Sequence, residues 1–215
     1  MSTFRYVLDN LPVIMSATAR HLELVAIALV AAVLTAVPLG IYITRKQVLA
    51  DIVLYIAGVI MTIPSVALLG FLIPALAIIG QGIGPLPAIV ALFLYAQLPI
   101  IRNTYTAIRS VDPAIIEAAV GIGMTPRQVL WRIQVPLALP VVFAGVRNAV
   151  VLNIGVGSIA ALIGAGGLGV FIFRGIARTY SEMIYTGAFF VSLLALLADF
   201  CLFRLQRRLV SRGLR

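Results

Sequence analysis

Long apolar runs separated by short polar intervals set out this chain. The first interval, residues 1–21, carries Arg5, Asp9, Arg20 and His21, which interrupt any apolar core of a signal peptide. Within it Phe4, Val7, Leu8 and Leu11 keep an i, i+3, i+4, i+7 spacing, which predicts a short helix lying in a membrane interface. The run Leu22–Ile43 is long enough for a first spanning helix and is closed by Arg45 and Lys46. No charged residue lies between Ile52 and Ile101. At about 1.5 Å per helical residue that stretch holds two spans, near 52–79 and 86–108, with Gly80–Pro87 as the turn between them. Pro64 and Pro74 are expected to kink the earlier one, as membrane helices tolerate.

Arg102–Gln134 is polar, and two helix starts are legible in it. Asp112-Pro113 sets an acidic N-cap before a proline suited to the first helical position. Thr125-Pro126-Arg127-Gln128 repeats the device with the Thr-x-x-Gln spacing of a capping box. Gly123 stands between them as a helix terminator, so residues 110–134 are expected to form two short helices with a corner at Gly123 and Met124. Leu137–Phe173 is apolar except for Arg147 and dense in glycine. A span near 136–162 and a last span near 183–203 follow, then the basic tail RLQRRLVSRGLR. With no internal repeat and no linker, residues 22–215 are expected to be one domain.

Composition excludes most function classes. The 215 residues are 62% hydrophobic and 11% charged, with mean hydropathy +1.14. Soluble domains carry about 25% charged residues, so the bilayer is the main solvent here. The net charge of +9 does not signal nucleic-acid binding, because no basic stripe with interleaved aromatics lies outside the apolar runs. A bias of basic residues to cytoplasmic loops accounts for it. With the tail, the 110–134 loop and Arg45-Lys46 cytoplasmic, Arg102, Arg109, Arg127, Arg132, Arg204, Arg207, Arg208, Arg212 and Arg215 also fall inside. Arg5, Arg20, Arg174 and Arg178 fall outside, and Arg147 lies within a span. That arrangement requires five spans with the N-terminus outside. A sixth complete span within Leu137–Phe173 would export the tail, so a glycine-broken or re-entrant segment is expected there instead.

No nucleotide or metal chemistry is legible. The single lysine, Lys46, sits between Arg45 and Gln47, so no P-loop exists. His21 lacks a Cys or His neighbour and is expected at an interface rather than on a metal. Cys201, in an apolar run, is expected as a small packing residue. The stretch Glu117–Pro136, EAAVGIGMTPRQVLWRIQVP, offers a compact helix–corner–helix knob: Ala118 and Ala119 allow close approach, and Glu117 presents a charge to an Arg or Lys. An amphipathic interfacial helix anchored by Trp131 fits the same residues.

Glu117, Ala118 and Ala119, then Gly123, then Ile133-x-aliphatic-Pro136, resemble the EAA loop of ABC-importer permeases, with Val135 where the family more often has leucine. The resemblance implies an all-α integral membrane protein with the type I importer (MetI-like) core. That core has about five transmembrane helices, a glycine-rich gate segment and a cytoplasmic coupling-helix loop. It further implies that the knob, with Arg127 on its surface, docks into separate ATP-binding subunits, which hold the ATP and magnesium. This chain is then expected to bind no cofactor and to be no enzyme by itself. A second permease chain and an extracytoplasmic substrate-binding protein are the other implied partners, besides membrane lipid, in the inner membrane of a prokaryote.

The run Ile163–Gly169, with Gly164, Gly166, Gly167 and Leu168, resembles the segment that closes the translocation path in the same permeases. Close helix packing through small residues is the alternative reading. Together with SVDPAIIEAAVGIGMTPRQVLW it is most similar to the glycine betaine, carnitine and choline branch. A permease for methionine or another small solute is the nearest alternative, and an ion-coupled secondary transporter a more distant one. Arg147, eleven residues beyond Pro136 and so ~17 Å along a helix, belongs near mid-bilayer. It is expected either on the translocation path or paired with backbone carbonyls at a dimer seam. Asp199 is expected to snorkel or to pair near Arg204.

Overall fold

The structure, a computed structural model, describes residues 3–209, all helices and turns with no strand among them. Ten helices follow in order: α1 (Thr3–Asp9), α2 (Leu11–Ile43), α3 (Gln47–Thr62), α4 (Ser65–Ala77), α5 (Pro85–Arg109), α6 (Pro113–Gly121), α7 (Pro126–Val129), α8 (Val135–Gly157), α9 (Gly169–Ala177) and α10 (Ser181–Leu209). A π turn, Leu130–Gln134, joins α7 to α8, and a 3₁₀ turn, Ser158–Ile163, extends α8. α2, α5, the continuous run Pro126–Ile163 and Ser181–Arg208 are each long and apolar enough to cross a membrane, and the pair α3–α4, bent at its break, passes the same test of length and composition when taken as one span. The end of the basic tail, with Arg212 and Arg215, lies outside the described residues.

Two expected spans have different bounds. The first does not begin at residue 22: α2 runs unbroken from Leu11, so only α1 stands apart from it. Its polar residues are satisfied within the fold, Arg20 by Glu23 at 2.7 Å and His21 by buried backbone partners, and nothing forces a break there. The span near 52–79 is not one kinked helix but two, bent by 99°. Ile63 takes an extended ψ of 125°, the conformation that a following proline imposes, and Pro64 then starts α4. Pro38, Pro74, Pro99 and Pro140 remain inside helices.

Small residues set how the helices lie. Gly40 of α2 faces Thr104 of α5 so closely that an added Cβ would sit 2.7 Å from the threonine Cβ. Seven residues from Thr104, Gln97 donates to Thr35 of α2 at 3.2 Å, so α2 and α5 run parallel. α8 is antiparallel to α5, its Gly145 against Pro99 and Asn103 and its Asn153 side chain donating to the Leu92 carbonyl at 3.0 Å. Without a hydrophobic force between helices in lipid, such close approach and polar bonds replace it. Buried Leu24, Ala28, Leu92 and Ile154 share the resulting core. Large apolar side chains such as Leu34, Tyr55 and Leu196 stay on the outside, an inversion suited to a bilayer.

α10 is tied to α8 by charge. The Arg147 guanidinium donates Nε and Nη2 to Asp199 at 2.9 Å each, lies over the Phe203 ring, and contacts Gln206 at 3.5 Å. Gln206 in turn donates to the Pro140 carbonyl at 3.0 Å, a second tie between α10 and α8. Asp199 thus pairs with Arg147 rather than with Arg204. Arg147→Ala and Asp199→Asn should each lower stability, because the surviving charge loses its partner in an apolar region. The double variant should lose less than the sum, with a coupling energy of roughly 1–3 kcal/mol, read from unfolding in mixed micelles.

Candidate functional site

Two features meet the expected site residues, one at each end of the bundle. At the α6–α7 end, Asp112 Oδ1 accepts the Ala114 N–H at 2.9 Å and starts α6. The helix ends where Met124 N–H bonds back to the Ala119 carbonyl and Gly123 N–H to Val120, a closure that needs φ of +89° at Gly123. Thr125 then forms its capping box: its N–H donates to Gln128 Oε1 at 2.8 Å and its hydroxyl accepts from the Gln128 N–H at 3.4 Å.

The knob so built presents Glu117, Ala118, Gly123 and Arg127 to the outside, while Ala119 is buried and Ile133 and Pro136 are half-buried. Glu117 has no partner within the described residues. Ile122 is 82% exposed and Val120 and Ile115 stand beside it, an apolar cap. Between the knob and the end of α2 lies a groove of about 680 Å³, bordered by Ile41, Thr44, Arg45, Arg127, Trp131 and Gln134. α7, the π turn and α8 form one helical run, so the knob is continuous with a spanning helix. The π turn lies where Pro136 has no N–H to give the preceding turn.

At the opposite end the glycine segment folds back on itself. Ala165 N–H bonds to the Ala160 carbonyl and Gly164 N–H to Ala161, at φ +76° for Gly164. Gly166 and Gly167 also have positive φ. The Ile163 carbonyl accepts the Gly84 N–H at 2.8 Å from the α4–α5 turn. Gly169 admits no side chain, since a Cβ would fall 1.8 Å from the Ser158 carbonyl oxygen. Leu168 is fully buried. A cavity of about 400 Å³ opens beside the segment, bordered by Tyr6, Asn10, Arg20, Gly166, Phe171 and Arg174.

His21 is not interfacial. It is 1% exposed, accepts the Leu168 N–H on Nδ1 at 3.3 Å and donates from Nε2 to the Ile154 carbonyl at 3.0 Å. Arg20 Nε donates to the Ala165 carbonyl at 3.2 Å. Sequence reasoning missed both residues as part of this segment; the available signal was a polar pair inside an apolar helix. Arg147, grouped with the glycine segment on sequence grounds, has its partners on α10 instead. Its ion is Asp199, not backbone carbonyls.

Residues 36–214 match the family of binding-protein-dependent transport system inner membrane components. The chain belongs to this family. The permease is 50% identical over 215 residues, 100% of each chain, to the osmoprotectant import permease protein OsmW of Salmonella typhimurium. It is 43% identical over 197 residues, 92% of this chain and 88% of the relative, to the choline transport system permease protein OpuBB of Bacillus subtilis. Its fold is similar to that of the inward-facing MetNI methionine ABC transporter, with TM-score 0.80 and 26% identity over 92% of this chain and 96% of that one. An amino acid ABC transporter solved with histidines shares the fold at TM-score 0.80, with 20% identity over 97% and 99% of the two chains. The all-helical type I permease core is thereby shown, and the chain is a membrane subunit of an ABC importer.

Gly169→Ala should be the most damaging glycine substitution in this permease, because backbone, not a flexible side chain, occupies the space. Gly155→Ala, with open space around its Cβ site, should be neutral or stabilising by up to ~1 kcal/mol in its helix. Thermal melts of the two detergent-solubilised variants compare them directly.

Proposed function

We propose that this permease imports quaternary-ammonium osmoprotectants of the glycine betaine, carnitine and choline kind. The observation that carries the substrate class is 50% identity over the whole of both chains to an osmoprotectant import permease. Relatives named for choline and for glycine betaine, carnitine and choline stand at 43% and 41%. The methionine alternative has a structural likeness at 26% identity behind it and is the weaker reading.

The knob is the surface proposed to dock on the ATP-binding subunits, with Glu117 as its unpaired charge and Ile122 as its apolar tip. An exposed apolar cap rimmed by polar residues is the kind of patch a partner covers. Charge supports a cytoplasmic position for it. Arg45, Lys46, Arg109, Arg127, Arg132, Arg204 and Arg208 gather at the knob end, against Arg5, Arg20, Arg174 and Arg178 at the other. Nucleotide-driven movement of the knob would pass along the rigid run Pro126–Ile163 to the glycine segment, switching the path between its two sides. Two permease chains, identical or not, would enclose that path. Selection among solutes would rest with the extracytoplasmic binding protein, where an aromatic cage suits a quaternary ammonium group.

Glu117→Lys and Gly123→Ala, in the complete reconstituted importer, should insert normally yet lower uptake per ATP hydrolysed at least tenfold. Normal coupling in both would overturn the docking assignment. For the solute, the cognate binding protein should gain thermal stability with betaine, choline or carnitine; stabilisation by methionine alone would overturn the osmoprotectant reading.

A further inference from the structure

The buried imidazole of His21, on α2, bridges α8 and the glycine segment. Ile154, which accepts from Nε2, precedes the turn; Leu168, which donates to Nδ1, ends it. Both ring nitrogens are used by backbone groups, and the bonds define one arrangement: Nδ1 holds the lone pair, Nε2 the proton. The cradle admits nothing larger. A Cβ on Gly157 would approach Nε2 to 3.1 Å, and one on Gly167 would approach Nδ1 to 3.1 Å. Next door, Arg20 holds the Ala165 carbonyl and closes on Gly166, where a Cβ would meet its Cγ at 3.3 Å.

We propose that His21, with Arg20 beside it, is a positioning residue that latches the glycine segment to α2. The segment cannot slide against α8 without His21 releasing Ile154 or Leu168. α2 therefore has to travel with the segment or let it go. The other end of α2 supplies Ile41 and Thr44 to the groove under the knob. α2 is thus a second rod from knob to segment, parallel in role to α8, and the histidine is the joint where the two rods meet. The latch is a contact in its own right; its effect on transport rests on the gate reading proposed above.

The test uses the complete importer in proteoliposomes, carrying Cys201→Ser and a nitroxide on Leu162→Cys, an exposed position of the 3₁₀ turn. Asparagine at 21 keeps an acceptor near the place of Nδ1 but loses the Nε2 donor. Glutamine keeps a donor near Nε2 but loses the near acceptor. A latch to Leu168 predicts spin-label mobility rising in the order His21, His21→Asn, His21→Gln, His21→Ala. A role in filling space predicts the reverse for the middle pair, since glutamine is closer to histidine in volume. Each variant loses one bond, but only glutamine loses the one to the segment, so uptake by His21→Gln should fall severalfold below that of His21→Asn. Equal mobility in the two, or glutamine the less mobile, overturns the latch. The latch order with uptake unchanged in every variant keeps the contact but overturns the gate assignment. Should His21→Ala fail to assemble, the asparagine–glutamine comparison decides alone.

Discussion

Every backbone polar group inside a bilayer needs a partner from the protein, and this constraint organises the permease. Unbroken helices meet it alone. The described spanning region departs from regular α-helix at three places, and each departure has its own donors. Where α3 gives way to α4, the Tyr95 hydroxyl donates to the Ile63 carbonyl. At the π turn the Val135 N–H reaches back to Leu130, keeping the run continuous ahead of Pro136. At the glycine segment Gly84, Arg20 and His21 together satisfy Ile163, Ala165, Leu168 and Ile154. Irregular backbone survives at that depth only because neighbouring helices deliver side chains to it.

The same requirement gives the molecule its mechanical plan. α5 sits between α2 and α8 and is held to each through residues without bulk: Gly40 on one side, Gly145 on the other. Close backbone contact makes these three helices a stiff unit. α10 joins α8 through the Arg147–Asp199 ion pair and the Gln206 bond to Pro140, and keeps its close backbone contact, at Gly187, for α9. A carboxylate and a guanidinium in lipid fix register strongly, because every shifted register leaves a charge unpaired. α10 is therefore keyed to α8 by an ion pair, where α5 meets it at a glycine and through the Asn153 bond to Leu92.

Much of this was legible in the sequence, and the division has a physical basis. Local devices were readable because their parts lie within a few residues: the Asp112 cap, the Gly123 terminator and the Thr125–Gln128 box form as their spacing predicts. The apolar runs were readable as helices, since four long apolar helices and one bent pair occupy them. The break at Pro64 was not distinguishable from tolerated prolines at 38, 74, 99 and 140, because what differs is Tyr95, thirty-one residues further on. Partner choice was equally hidden. His21 carries no neighbouring motif, and its partners lie 133 and 147 residues away. Asp199 had Arg204 near it in sequence, yet tertiary contact gives it Arg147 across 52 residues.

Six polar residues inside the apolar runs therefore share one logic. Arg20, His21, Tyr95, Arg147, Asn153 and Asp199 each bond to a group on another element or across a turn. Four of them hold backbone atoms; Arg147 and Asp199 hold each other. In water such residues would gain little over solvation, and chain entropy would oppose their ordering. In lipid the alternative partner is absent, so each bond selects one arrangement of helices from the many that apolar contact alone would allow. Apolar surface commits the chain to the membrane, and this small polar set specifies which bundle it forms there.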